Sequence, residues 1–132
     1  MNLKRLVGLY LADQMAINYK NQGYDLTTSN LTTSNLTTVL TIDAQSRAII
    51  KEISVTNDTS GAKDVDYFFH DASTSTNYKF YHTKVAANSH ENAVHNALVL
   101  EEGDYLQFQA DTANAISGQI SYALLSRTGE NG

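Results

Sequence analysis

The chain has 132 residues, 42% of them hydrophobic and 17% charged, and a formal net charge of −5. That length holds one hydrophobic core rather than two, and the scattered charges form no basic stripe for phosphates, which argues against nucleic acid as a partner. Cysteine and proline are both absent, so there is no disulfide frame or Cys-ligated zinc, and turns fall to Gly, Asn, Asp and Ser.

Residues 3–17 carry two patterns. As a helix, Leu3, Leu6, Val7, Tyr10, Leu11 and Met15 share a face; as a strand, Arg5, Val7, Leu9 and Leu11 alternate with Lys4, Leu6, Gly8, Tyr10 and Ala12. A strand over residues 4–12 suits the β-rich pattern downstream, although the helical reading stays open. The apolar stretch 6–12 is far short of the roughly 20 residues a spanning helix needs, and no small-residue cleavage site follows it. The expectation is therefore an aqueous protein without membrane contact.

Residues 18–25 read as a turn-rich connector. A five-residue unit then recurs as Leu26-Thr-Thr-Ser-Asn30, Leu31-Thr-Thr-Ser-Asn35 and Leu36-Thr-Thr38. Its period fits neither helix nor flat strand, and it has too few copies for a solenoid. It is either a tandem duplication lengthening a surface loop or an extended arm reaching a neighbouring subunit. The two Asn-Leu-Thr matches within it, at Asn30 and Asn35, are accidental without a secretory signal.

From Leu36 the period is two. Leu36, Thr38, Leu40 and Ile42 align; over residues 47–57, Ile49, Ile53 and Val55 face one way and Ile50, Glu52, Ser54 and Thr56 the other. Asn57-Asp-Thr-Ser-Gly61 is a turn. Val65, Tyr67 and Phe69 then oppose Asp64, Asp66, Phe68 and His70. Residues 78–85 form an aromatic strand, and residues 92–100 another, with Val94, Asn96, Leu98 and Leu100 aligned. Glu101-Glu-Gly-Asp104 turns into residues 105–110, where Leu106, Phe108 and Ala110 align; Ile116, Gly118, Ile120, Tyr122 and Leu124 mark the last strand. Seven to eight short strands with turns every 8–12 residues predict an all-β fold, an antiparallel β-sandwich of jelly-roll type with an extended N-terminal segment. Residues 1–35 are expected to form the N-terminal strand or arm and repeat connector, 36–126 the sandwich and 127–132 a tail.

Candidate chemistry is sparse. His90-Glu91 and His95 imitate a zinc-protease motif, but histidines five apart on a helix diverge by about 140°. His70 and His82 lie in different predicted strands and could meet across a sheet, yet nothing supplies a third ligand. Asp58, Asp64, Asp66 and Asp71 lack the spacing of a calcium loop, and Asp64 and Asp66 more simply mark a solvent face. Without a phosphate loop or nucleophile elbow, no catalytic, metal or cofactor residues are assigned, and the chain is read as not an enzyme. The aromatic runs Tyr67-Phe68-Phe69 and Tyr78-Lys-Phe80-Tyr81 point to both strand faces. Either a neighbouring subunit covers the outer set, or a loop over residues 18–35 does.

The parts Ala48-Ile-Ile-Lys-Glu-Ile-Ser-Val-Thr-Asn57, the turn at 58–62, Asn77-Tyr-Lys-Phe-Tyr-His82 with Ala86-Ala-Asn88, and Leu100-Glu-Glu-Gly-Asp-Tyr-Leu-Gln107 together resemble small β-sandwich virion proteins of tailed bacteriophages. Where that family usually has Pro-Ala-Gly before the second strand, this chain has Asp43-Ala-Gln-Ser46. The resemblance implies a capsid decoration (cement) protein, with a neck or tail component as the alternative. It further implies a homo-oligomer, a trimer above all, located in the virion and contacting partners such as the major capsid protein. Leu26, Leu31, Leu36, Phe68, Tyr78 and Tyr81 are the expected subunit contacts. A carbohydrate-binding or host-adhesion module is the reading from a different class, weakened because sugar platforms usually include Trp and this chain has none.

Overall fold

The period-two alternation folds into nine strands among the described residues, which are 16–27, 31 and 35–126 of a computed structural model. In chain order they are β1 (Ala16–Leu26), β2 (Thr37–Thr41), β3 (Ser46–Asn57), β4 (Lys63–Asp71), β5 (Thr76–Val85), β6 (Ser89–Asn92), β7 (Leu98–Leu100), β8 (Tyr105–Ala110) and β9 (Ile116–Ser126). Every pairing is antiparallel. One sheet has the order β1-β9-β3-β6, with β7 also on β3, and the other β2-β8-β4-β5. Their inner faces enclose a single core built on Leu26, Ile42, Ile50, Ile53, Val55, Tyr67, Leu100, Leu106, Phe108, Ile116 and Ile120. The β-sandwich predicted from the alternation is the fold observed.

Residues 18–25, expected as a connector, are instead most of β1. An unbroken eleven-residue register with β9, from Ala16 opposite Ser126 to Leu26 opposite Ile116, satisfies the backbone. It thereby overrides the turn preference of Asn18, Asn21 and Gly23. Tyr24 and Leu26 enter the core, while residues 17–23 are exposed on both faces, which is why this half of the strand reads as polar. The strand expected over residues 4–12 lies outside the described residues.

Three irregularities shift the predicted faces. In β3 the register with β9 slips between Ile50 and Glu52. The bulge reverses parity, so Ala48 and Ile50 point inward on one side of it and Ile53 and Val55 on the other, and Ile49 faces out. A similar shift between Thr38 and Leu40 brings Val39 and Leu40 both inside. Finally, the single strand expected over residues 92–100 is divided into β6 and β7. Between them, Asn92 Oδ1 accepts from the backbone N–H of Ile53 (3.1 Å) and of Val94 (3.1 Å), so a side chain takes the place of a ladder rung.

Two turns show why their residues are what they are. Asn57, fully buried, donates through Nδ2 to the carbonyls of Gly61 (2.9 Å), Val85 (3.1 Å) and Ala86 (3.2 Å), and its Oδ1 accepts from Thr59 N and Oγ1. In the Gly-Asp turn, Gly103 adopts φ 82°. Asp104 accepts from the N–H groups of Glu101 (2.8 Å) and Ala72 (2.9 Å), tying the β7–β8 turn to the β4–β5 turn. Both residues stand in motifs that carried the resemblance to virion proteins, and both have a structural task.

Candidate assembly surface

The outer face of the four-stranded sheet holds the main polar cluster. Asp66 sits between its register partners Gln109 on β8 and His82 on β5 and is only 4% exposed, correcting its placement on a solvent face. Its carboxylate accepts from His82 Nδ1 (2.6 Å) and Gln109 Nε2 (3.3 Å) and pairs with Lys79 Nζ (3.3 Å). Burial alone would raise the Asp66 pKa, but hydrogen bonds from His82, Gln109 and Lys79 together outweigh it and hold the carboxyl below its ordinary range. The other nitrogen of His82, Nε2, faces Asp64 at 3.5 Å. Both ring nitrogens are thus turned to carboxylates, and neither is presented to a nucleophile. This cluster stitches β4, β5 and β8 together.

The remaining histidines are separate. His70 Nδ1 bonds Asn77 Oδ1 (2.5 Å) and its ring stacks on Tyr105, so His70 and His82 do not meet. His90 lies in β6 opposite Thr56, whereas His95 bonds the Tyr81 hydroxyl (2.5 Å). Among the described residues no group of three or more His, Asp or Glu is placed to hold a metal ion.

The expected contact residues scatter. Leu26 is fully buried in the core and offers no side chain to a neighbour, because β1 delivers it inward. Leu31 is exposed and Leu36 half-buried. Phe68 stays on the outer face of the four-stranded sheet with Lys79 Nζ 5.7 Å from its ring centre. Tyr78 is exposed but stacks on Phe69 (5.4 Å, 26°). Tyr81 is half-buried: the bulge at Tyr67/Phe68 leaves Phe80 as the extra residue of β5, so Phe80 and Tyr81 both lean on the core. Residues 93–98 flank these two rings around a groove of about 260 Å³. The cover expected from residues 18–35 is therefore supplied at Tyr81 by the β6–β7 segment.

An apolar surface does exist, on the opposite sheet. Tyr19 of β1 pairs with Ala123 of β9, Ala123 with Ile49 of β3, and Ile49 with Val99 of β7, one rung crossing four strands. The next rung joins Ile17, Leu125 and Arg47. All these side chains point away from the core by strand parity. Tyr19 is 82% exposed, Val99 57% and Ile17 52%, while Ile49 and Leu125 between them are half-buried and Ala123 is buried. Sequence reasoning passed over this band because Ile17 and Tyr19, although two apart, lie among polar residues, and Val99 stands alone on the face opposite Leu98 and Leu100.

No family model matches the chain, and no curated protein matches it in sequence. Solved structures are similar to it. A chain from the acidic stable capsid of Helicobacter pylori bacteriophage KHP30 superposes with a TM-score of 0.52 at 9% identity, over 86% of this chain and 90% of that one. A chain of the cyanophage Pam1 capsid gives 0.48 at 18% identity, over 86% of each. A chain of the Bacillus endospore appendages, a family of disulfide-linked pili, gives 0.48 at 16%, over 88% of this chain and 92% of that one. At 9% identity the likeness to the KHP30 capsid chain is one of fold.

Proposed function

We propose that the chain is a non-enzymatic structural protein of a phage particle, a capsid decoration (cement) protein that works as a homo-oligomer, with a trimer favoured. The observation that carries this reading is the apolar band on the outer face of the five-stranded sheet, where Ile17, Tyr19 and Val99 are exposed. Isolated exposed apolar residues are ordinary, but a contiguous set on one sheet face is the mark of a surface meant to be covered. Support comes from the fold shared with a phage capsid chain that this sequence spans almost from end to end. The polar network around Asp66 has a structural use and leaves no reactive group aimed at a substrate.

Light scattering across a dilution series tests the oligomer: a stable species at three times 14.5 kDa is expected. A ring of six or more would replace the cement role by a neck or tail role. A strict monomer at every concentration would overturn self-association. The particle role is tested by adding the protein to heads of its phage that lack decoration. Saturable binding with a raised temperature of genome release is expected, and no binding would refute it.

A further inference from the structure

We infer that copies of this chain join head to tail, with Tyr19 of one copy seated in the groove between Phe80-Tyr81 and residues 93–98 of the next. The inference rests on the self-association proposed above and names the surfaces that perform it. The apolar band is covered in its middle and bare at its ends. Ala123 is buried and Ile49 half-buried, whereas Ile17 and Tyr19 on β1 and Val99 on β7 are exposed. Those ends are the two margins of the five-stranded sheet, so one contact between unlike margins covers both. Among the described residues Tyr19 is the most exposed large hydrophobic, and an apolar ring with a polar tip is the make-up of an interface anchor.

A place for such a ring lies at the other margin. The groove has Phe80, Tyr81, Val94 and Leu98 for its apolar wall and about 260 Å³ of room. On its rim stand Asn96 and His95, the latter bonded to the Tyr81 hydroxyl, which leaves the Asn96 amide to meet the hydroxyl of Tyr19. No Asp, Glu, Lys or Arg lines it, which suits a neutral aromatic side chain. Val99 follows Leu98 on the outer side, where Ile17 of the incoming β1 can pack against it. The flanking charges are opposite in sign: Lys20 follows the anchor, and Glu91 stands two residues before the groove. Both are exposed, and among the described residues neither has an ion pair within its own copy.

The donor has to be another copy. β1 is separated from β7 by β9 and β3, which is three strand spacings or ~14 Å, beyond the reach of one side chain. Tyr19 also points away from the other sheet, to which Phe80 and Tyr81 belong. Each copy therefore gives one ring and receives one. Such a heterologous contact differs from the self-matching contact of a two-fold dimer and closes into a ring when the rotation per copy allows, as a trimer requires.

Tyr19→Ala is expected to raise the dissociation concentration of the oligomer by roughly 30-fold or more with the circular dichroism unchanged. Ala97→Trp, at an exposed position of the groove, blocks the same contact from the other side and should do likewise. Cysteine is naturally absent, so proximity can be read directly. Full-length Asn21→Cys and Asn96→Cys chains with tags of different mass are mixed, re-equilibrated and treated with a short bis-maleimide. A product containing one of each is expected, and none when Thr74→Cys, at the tip of the β4–β5 turn, replaces Asn96→Cys. If the oligomer persists while Tyr19→Ala leaves its dissociation unchanged, or while the mixed product is missing, the contact is wrong although self-association stands. A stable species at twice the chain mass means a two-fold contact and overturns the head-to-tail one. A wild-type chain that is monomeric throughout removes the self-association reading and this inference with it.

Discussion

Replacing Gly118 by Ala should destabilise the sandwich more than any other single-methyl change on its surface strands. Gly118 lies in β9 between Tyr24 on β1 and Val55 on β3. The Tyr24 hydroxyl crosses above it to donate to the Ser54 carbonyl at 2.7 Å. Ser54 has in turn moved part of its pairing to its side chain: Oγ accepts from Gln119 N (2.9 Å) and donates to Gln119 O (3.2 Å). A Cβ on residue 118 would sit 1.8 Å from Ser54 O, 2.8 Å from Ser54 C and 2.8 Å from Tyr24 Oη. Ordinary contact begins near 3.4 Å, so the neighbouring backbone must give by about 1.6 Å (3.4 − 1.8). Overpacking of this kind costs about 1–3 kcal/mol, and separating the Tyr24 hydroxyl from its acceptor inside the protein adds about 1–3 kcal/mol. The smaller unfolded-state entropy of Ala returns up to about 1 kcal/mol. The net loss is about 1–6 kcal/mol, on the order of 10 °C in Tm for a domain this size. Urea unfolding, followed by circular dichroism and tyrosine fluorescence, should show a lower midpoint at constant m. Tyr24→Phe alone should cost about 1 kcal/mol. The double variant should fall short of the sum, because one clashing atom is already gone. A Gly118→Ala loss below about 0.5 kcal/mol, the level of an ordinary surface change, would refute the reasoning.

Four other outcomes are expected. Asn57→Ala removes the side-chain bonds to the Val85 and Ala86 carbonyls at the end of β5 and should cost about 2–3 kcal/mol in urea unfolding. Asp104→Ala leaves the N–H groups of Glu101 and Ala72 without their acceptor, for a loss of about 2 kcal/mol. Gly103→Ala forces a side chain into φ 82° with its Cβ 3.2 Å from that of Ala72, and should cost about 1–2 kcal/mol by thermal melting. The folded carboxyl of Asp66 titrates below its ordinary range, so its contribution is present above the unfolded value near 3.9 and is lost as pH falls through the lower folded value. Melting temperatures of Asp66→Asn should therefore converge on the wild type as pH drops below about 4 and lie beneath it at neutral pH.

Strand content was legible because alternation reports burial of one face, and wherever the pairing is regular the faces were read correctly, as at Leu106, Phe108 and Ala110. The misreadings sit where a residue is inserted. The bulge before Glu52 reverses the parity of β3, and the extra Phe80 turns two consecutive aromatics inward; both depend on the partner strand, which local pattern does not contain. β1 was hidden for a related reason. Its first half is wet on both faces, so it lacks the hydrophobic signal of a strand, and only its register with β9 makes it one. The assembly surface is harder still. Its side chains come from four strands between residues 17 and 125, and the sheet order that sets them side by side is a tertiary fact. The Gly-Asp turn was visible as a motif, whereas its link to Ala72 across 32 residues was not.

The two margins of the five-stranded sheet are unequal in a way that limits how copies can grow. Among the described residues one margin is β1, eleven residues long; the other is β6 and β7, four and three residues, parted by the segment that Asn92 holds against β3. Endless edge-to-edge growth needs a usable ladder on both sides of each subunit, as in a fibre. Here a copy joined along β1 leaves behind only the interrupted margin. Among the described residues that sheet therefore offers a long ladder on one margin only, and the same Asn92 that mends a missing rung leaves the other margin interrupted.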